Sequence, residues 1–579
     1  MKYNNLLFII NVLVTLSFVA NNNIIIDAAV PLISRDVSNA TNEATDGKWE
    51  FVGKTGVSAM HMTLIRPTKV LIIDKAGINP EALISNGRYA YSTLYDLTTN
   101  TYRVLSLHTN TFCSAGAYLA NGTMVETGGA EDTAGEKNGF QSVRLINGCD
   151  DDSCDWLEYP YELDSARWYN TMTTLPDGRA FNLGGSIRAC AINRKDIENP
   201  TFEFYPKEHE KGQKIQFLED SFPFNLYPTV IVLPGPKGQT WLFLAANKKA
   251  QIWDYESKEI VRHLPDIPGG PRTYPLTGTG ALIPLSYKNN YKAEIIVCGG
   301  GTDMKDRDAP AENTCERIDL TDKNPQWDED EFGPNMPTGR LMPDVIHLPD
   351  GKLLYVNGAG TGMAGWDKKA TRKTPRLHTA GKPTKNPLLY DPHAQKGSRW
   401  SKFAEDPIIR VYHSSATLVP DGTVFVAGSN PNRYYCGIDQ CEHPTDHRAE
   451  KFYPPYLLNG VPRPSISKVA GQSNLNDVDA VPVNYGQRVP VEIDLDSPTA
   501  QFTASISHMG FVTHSQHMSA RVVELKVENV KKSDTGYTMD VILPPHSNIF
   551  PPGRHNYLFV LNKGTPCKTA IELNLEVEK

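Results

Sequence analysis

The feature that most constrains this chain is a glycine pair, or its remnant, that recurs at the end of a strand-like segment. It appears in "ANGTMVETGG" at Gly128, "LPDGRAFNLGGS" at Gly184, "AEIIVCGGGT" at Gly299, "LPDGKLLYVNGAG" at Gly358 and "VPDGTVFVAGSN" at Gly428. The step from Gly184 to Gly299 is about twice the others, and "WLFLAAN" (241–247) fills it as a degenerate copy. Counting "KVLIIDK" (69–75) as the first copy gives seven units. Within a unit, "PDG" supplies a tight turn and alternating apolar residues supply the outgoing strand. Glycine is needed where backbones crowd and a side chain has no room.

Each unit then carries an Asp or aromatic-Asp pair and often a Trp, as in "LYDLTTNTYRVL", "IWDYESKEIVRHL", "RIDLTDKNPQW" and "LYDPHAQKGSRW". Four strands per unit at roughly fifty residues per repeat predict a seven-bladed kelch-type β-propeller. The high count of turn formers, 44 Gly and 42 Pro, suits such an all-β chain. After "PYLLNGVPRPSISK" the glycine pairs and "PDG" turns stop. Segments such as "RVPVEIDL", "ARVVELKVE" and "NYLFVLN" read as an immunoglobulin-like β-sandwich. The expected division is a signal peptide over 1–29, a linker or strand over 30–55, the propeller over 56–460 and the sandwich over 461–579.

The first residues, "MKYNNLLFIINVLVTLSFVANNN", hold one Lys and an apolar run from Leu6 to Ala20, broken by Asn11, Thr15 and Ser17. The run is short for a bilayer span and fits a secretory signal cleaved between Ala20 and Ala29, an uncleaved anchor being the alternative. The expected product is a secreted monomer with no membrane partner, and Asn39 and Asn121 are acceptors for glycosylation. A net charge of −8 with a pI near 6.0 offers no basic face to nucleic acid. Nine cysteines in an oxidising compartment should mostly pair, and the close spacings of Cys149 with Cys154 and of Cys436 with Cys441 suggest local bridges.

Four residues stand at corresponding places before hairpins whose partner strands end in glycine: Cys113 in "NTFCSAG", Tyr169 in "RWYNTM", and Tyr412 with His413 in "VYHSSATL". Repeat position alone puts them on one side of the propeller near its axis. Neighbours on a regular strand point to opposite faces, so Tyr412 and His413 can serve one site only where the strand ends. A fifth candidate is His514 in "FVTHSQHMSARVVEL", with His517 competing for the same role. Two imidazoles and two phenolates suit a tetragonal N,O site for Cu(II), which would also supply the charge a phenolate needs near neutral pH. Each of these residues alone reads equally well as an ordinary buried thiol, aromatic or hydrogen-bonding His. Their joint occurrence in matched contexts argues for a site.

The stretches "NTFCSAG", "RWYNTMTTLPDGRAFNLGGS", "GRLMPDVIHLPDGKLLYVNGAGTGMAGW", "VYHSSATLVPDGTVFVAGSNPN", "FVTHSQHMSARVVEL" and "PPGRHNYLFVLN" resemble the copper radical oxidases of the glyoxal oxidase and galactose oxidase family, from about Gly56 onward. The resemblance implies a thioether joining Cys113 to the ring of Tyr169, which would be both copper ligand and radical. Tyr412 would be axial ligand and proton acceptor, with His413 and His514 as the equatorial nitrogens. The cofactors implied are one copper ion and the Cys-Tyr radical. The substrates implied are O2 with a small aldehyde, taken as its hydrate, or a primary alcohol, with hydrogen peroxide as product. A non-catalytic propeller that binds glycans or proteins is the competing class. Consuming Cys113 in the cross-link leaves eight cysteines, enough for four disulfides. Two departures stand out. Ile187 follows the "GGS" where the galactose oxidase branch has a Trp stacked over the radical, and Cys567 stands where the family has a serine.

Overall fold

The computed structural model describes residues 43–577, apart from 134, 190, 209–210, 330–335, 367–377 and 476–478. The expected signal peptide, its cleavage region and Asn39 lie outside the described residues. Six four-stranded antiparallel sheets and four strands of a six-stranded one form the seven propeller blades. Their innermost strands are His61–Arg66, Ala115–Tyr118, Thr171–Thr174, Thr229–Val232, Thr279–Leu282, Asp344–His347 and Ser414–Leu418. Most of these are buried along their whole length, whereas outer strands such as Leu157–Tyr159 and Ile260–His263 face water. The glycine pairs each follow the second strand of a blade, and the degenerate copies at 69–75 and 241–247 are the second strands of blades one and four. Blade seven is completed by Lys48–Lys54, its outermost strand, paired antiparallel with Arg448–Tyr453. The ends of the chain of blades are therefore joined by backbone hydrogen bonds, and the propeller begins before Gly56.

The glycines answer to one neighbour. At Gly299, with φ +67°, an added Cβ would come within 2.1 Å of the Arg340 carbonyl at the entrance to the next blade. Gly129, Gly300 and Gly358 donate their N–H groups to the carbonyls of Arg167, Arg340 and Arg410 across the same seam. The guanidinium groups of these arginines turn inward and donate to carbonyls at the end of their own blade's second strand: Arg167 to Gly184, Arg272 to Gly299, Arg340 to Asn357 and Arg410 to Gly428. A buried cation needs a counter-charge, and Arg167 has Glu203 at 2.7 Å and Arg410 has Glu450 at 2.9 Å. These arginines form a second repeat, interleaved with the glycines.

The sandwich comprises two sheets that share one strand. The first half of Arg521–Lys532 pairs with Phe502–His508, and its second half with Gly536–Ile542. Arg488–Asp494 buries every second residue, so Val489, Val491 and Ile493 fill the core with Ile506, Val541, Leu558 and Leu573. That core continues without a break into Ile252, Leu282 and Val297 of blades four and five. Between the strands Phe502–His508 and Arg521–Lys532 the chain makes a hairpin, Phe511–Thr513 with Gln516–Met518, that leaves the sandwich and pairs with the innermost strand of blade one. It contacts the innermost strands of all seven blades and so occupies the propeller axis. Gly116 makes room for it: a Cβ there would sit 2.5 Å from the Phe511 ring.

Among the described residues three disulfides are present, Cys149–Cys154, Cys298–Cys315 and Cys436–Cys441. The two local bridges are as expected. The expectation of four disulfides fails, because Cys567 is a buried thiol with no disulfide partner, and burial pushes it up to about 11. Cys190 lies outside the described residues. Asn121 is exposed in the turn of blade two.

Removing one partner of a buried pair strands the other, so Glu203→Ala should cost about 3–5 kcal/mol of stability. The exposed Lys249–Asp266 pair should cost under about 1 kcal/mol in Asp266→Ala. Denaturant unfolding of the two variants side by side checks this, and equal small losses would contradict the account of the arginine repeat.

Candidate metal centre

Five residues expected from the sequence meet at one end of the axis. Cys113, Tyr169 and Tyr412 each stand two residues before an innermost strand, in blades two, three and seven, as do Tyr227 and Met342 in blades four and six. Cys113, Tyr169, Tyr227, Met342 and His413 all have positive φ, between 49° and 64°, without being glycine. This conformation turns the side chain toward the axis instead of along the strand, and non-Gly residues adopt it at a cost that usually marks a functional site. His413 is left-handed beside Tyr412, which is how two neighbours come to face one centre. Their rings stack at 3.7 Å.

His514 arrives by a different route. It is the first residue of the two-residue turn of the axial hairpin, where φ is 46° at His514 and 66° at Ser515, as a tight hairpin requires. His514 and His517 therefore do not share one strand: a turn separates them. His514 points into the cluster, and His517 points to the buried Asp344 of blade six, Nε2 to Oδ1 3.4 Å. Further ties run from Thr279 Oγ1 to the Ser515 carbonyl and from Thr63 Oγ1 to the Gly510 carbonyl, both 2.8 Å. The hairpin is fastened to several blades at once.

The two imidazoles present Nε2 to each other at 2.9 Å. His413 Nδ1 donates to the Asn430 carbonyl at 2.9 Å, so its Nε2 carries a lone pair. His514 Nδ1 is hydrogen-bonded to Thr513 Oγ1 at 2.6 Å. Burial holds both rings well below the ordinary histidine range, reinforced by His514 for His413 and by His61 for His514, and keeps them neutral. Tyr169 and Tyr412 meet hydroxyl to hydroxyl at 2.7 Å. Burial raises both phenols well above their usual range. Cys113 Sγ lies 3.4 Å from His514 Nε2, and the Tyr169 amide donates to the Cys113 carbonyl at 2.9 Å. Among the described residues, Cys113, His413 and His514 form the one group of His, Cys or acidic ligands drawn within 4.8 Å. Two neutral imidazole nitrogens and two crowded phenols with no acid nearby are a donor set that a divalent N,O-binding cation fits, taking the place of the protons these groups now share.

Phe112 and Trp366 wall the centre. They stack on each other at 5.1 Å, and Phe112 meets His413 edge-on. Beyond them lies a cavity of about 370 Å³ that Lys75, Asp74, Asn430 and Arg433 also line. Lys75 Nζ sits 4.5 Å over the Trp366 ring.

The N-terminal part of the chain, residues 60–456, matches the family model for the glyoxal oxidase N-terminus. The chain belongs to the glyoxal oxidase family. Residues 463–571 match the galactose oxidase-like early set domain. The aldehyde oxidase GLOX of Vitis pseudoreticulata is 33% identical over 90% of this chain and 95% of its own length. Aldehyde oxidase GLOX1 of Arabidopsis thaliana is 32% identical over 90% of this chain and 83% of its own. A fungal alcohol oxidase solved in complex with copper shares the fold, with a TM-score of 0.67 at 20% identity over 92% of this chain and all of that one. This glyoxal oxidase family member is accordingly a copper-dependent oxidase, and copper with a Cys-Tyr radical is the cofactor characteristic of its family.

Sequence reasoning picked out Thr513 only as the neighbour that marks His514 and missed Asn430, Asp344, Tyr227 and Tyr274. One signal was available: "RWY" (167–169), "RTY" (272–274) and "RVY" (410–412) are the same triplet in three blades, and the first and third hold Tyr169 and Tyr412. Ile187 is 40% exposed, and the ring stacked on Tyr169 is Tyr274.

Groups that orient a metal-binding histidine are commonly worth 10–100-fold in affinity, so Thr513→Val should weaken copper binding by about that factor. Competition against a chelator of known affinity measures it, and unchanged affinity would remove Thr513 from the centre.

Proposed function

We propose that this chain oxidises small aldehydes, taken up as their hydrates, to carboxylic acids and reduces O2 to hydrogen peroxide. The observation that carries this reading is the buried meeting of two neutral imidazoles and two phenols with a thiol beside them. Tyr169, Tyr412, His413 and His514 would hold copper, which when bound supplies a one-electron acceptor and a positive charge that stabilises phenolate oxygen. An aldehyde hydrate must give up two electrons, so the second is taken by the chain itself. Tyr169, joined through its ring to Cys113 with loss of two hydrogens, stores that equivalent as a radical and abstracts a hydrogen atom from the substrate carbon. Tyr412 takes the proton of the substrate hydroxyl. The two electrons and two protons leave with O2 as hydrogen peroxide.

The cavity behind Phe112 and Trp366 is the route by which substrate reaches the centre, and its volume admits a molecule of a few carbons. Secretion is part of the proposal. It is supported by the three disulfides and the signal-like first residues. No helix among the described residues is long and apolar enough to cross a membrane.

Peptide mass spectrometry of the copper-loaded protein should find the Cys113 and Tyr169 peptides joined, lighter by two hydrogens and resistant to reduction. Separate peptides after exposure to copper and O2 would return the propeller to the class of binding scaffolds. In a peroxide assay across aldehydes and primary alcohols, aldehydes should be the better substrates, and a clear preference for alcohols would reverse that assignment. Tyr412→Phe should lower kcat by roughly 10²–10⁴-fold, the usual worth of a positioned proton acceptor.

A further inference from the structure

The cavity that opens onto the centre holds one charge that nothing in the chain neutralises. Lys75 stands two residues past Lys69–Ile73, the second strand of blade one, and lines the cavity behind Phe112 and Trp366. Its ammonium donates to the Asn432 carbonyl and lies 4.5 Å over the Trp366 ring. Among the described residues it has no ion-pair partner. The neighbouring Asp74 does not serve as one. Its carboxylate accepts from Asn430 Nδ2 at 3.1 Å and from the Lys75 amide at 2.8 Å, and burial pushes its carboxyl up toward the neutral form. Burial draws the Lys75 ammonium down to about 8, which leaves it mostly charged at neutral pH. An ammonium has three protons to give, and a carbonyl and a ring face take two of them. A cation drawn out of water is costly unless an anion meets it.

The rest of the cavity narrows what that anion is. Phe112, Trp366, Tyr434 and Tyr435 give it apolar walls, while Arg433, Glu131 and Asp132 are exposed at its rim, where water and salt screen them. The centre lies one ring away from the ammonium, because the Trp366 ring that carries Lys75 is 5.9 Å from the ring of His413. At about 1.5 Å per bond, a ligand that reaches both has its negative group roughly three bonds from its reacting carbon. We propose that the aldehyde oxidised here carries a carboxylate at its far end, held by Lys75, so that the substrates are semialdehydes of short dicarboxylic acids. This rests on the aldehyde-oxidising reading above. The hydrated aldehyde carbon gives up two electrons and two protons and becomes the second carboxyl group, and O2 takes them to become hydrogen peroxide. Lys75 forms no covalent bond and keeps its proton, so its role is in specificity.

The test uses the full-length, copper-loaded protein and two probes of equal length, succinate semialdehyde and butanal, which differ in the carboxylate. Measured by peroxide release, kcat/KM should favour succinate semialdehyde by about ten- to a hundredfold, the usual worth of a hydrogen bond to a charged group. Lys75→Met, of similar length and uncharged, should abolish that preference by raising KM for succinate semialdehyde, and Lys75→Arg should keep it. Copper per chain and melting temperature are measured for each variant. A wild type with no preference for the acid overturns the proposal, and so does a folded, copper-loaded Met variant that retains the preference. If the Met variant does not fold, inhibition of the wild type decides. Butanoate should compete with butanal and butanamide should not, and equal inhibition by the two refutes the anion site. If the wild type releases peroxide with neither probe, the reading under "Proposed function" falls and this inference with it, whereas oxidation of butanal without preference for the acid sinks the inference alone.

Discussion

Everything at the centre depends on one hairpin. Phe511–Met518 belongs by sequence to the sandwich and by contact to the propeller, whose seven innermost strands surround it. A propeller axis is otherwise a gap that side chains must fill or water will. Filling it with a strand pair gives the two domains a shared interior and puts His514 at the tip, against ligands from blades two, three and seven. The paired use of two histidines follows. His514 faces the donors at one end, and His517 faces the buried Asp344 along the shaft.

The entrances to the blades store strain. Cys113, Tyr169, His413 and His514 are all left-handed, at a cost of order 1–3 kcal/mol each for residues with a Cβ. What holds them there is the seam between blades, where arginine guanidinium groups and glycine amides bind the carbonyls on either side. The repeat that makes the fold regular also provides the rigidity for an irregular centre. Because one repeat position is used in successive blades, groups far apart in the chain converge at the same height on the axis, and the rings of Tyr169, Tyr412, Tyr227 and Tyr274 share one buried volume.

Much of this was legible in the residues. Glycine pairs and "PDG" turns repeat because they meet the same local demand in successive blades, so that with two degenerate copies the propeller could be counted. Cys113, Tyr169, Tyr412 and His413 could be placed by their distance from those turns. His514 could be suspected, but its separation from His517 could not be explained, since a two-residue turn in "VTHSQH" resembles a continuing strand. Ile187 suggested an uncovered radical face, and only the packing of blade five against blade three shows Tyr274 lying across it.

The sequence by itself determined the repeat, the strand periodicities and the chemical character of the donors, because these depend on residues near one another in the chain and on turn chemistry that any context must respect. Only the tertiary structure decided which histidine reaches the centre, which ring covers Tyr169, that Lys48–Lys54 closes blade seven and that Cys567 stays a thiol. Those outcomes depend on approaches between segments separated by a hundred to four hundred residues, as with His413 and His514 or Cys113 and His514. Such approaches are set by packing, which local pattern does not encode.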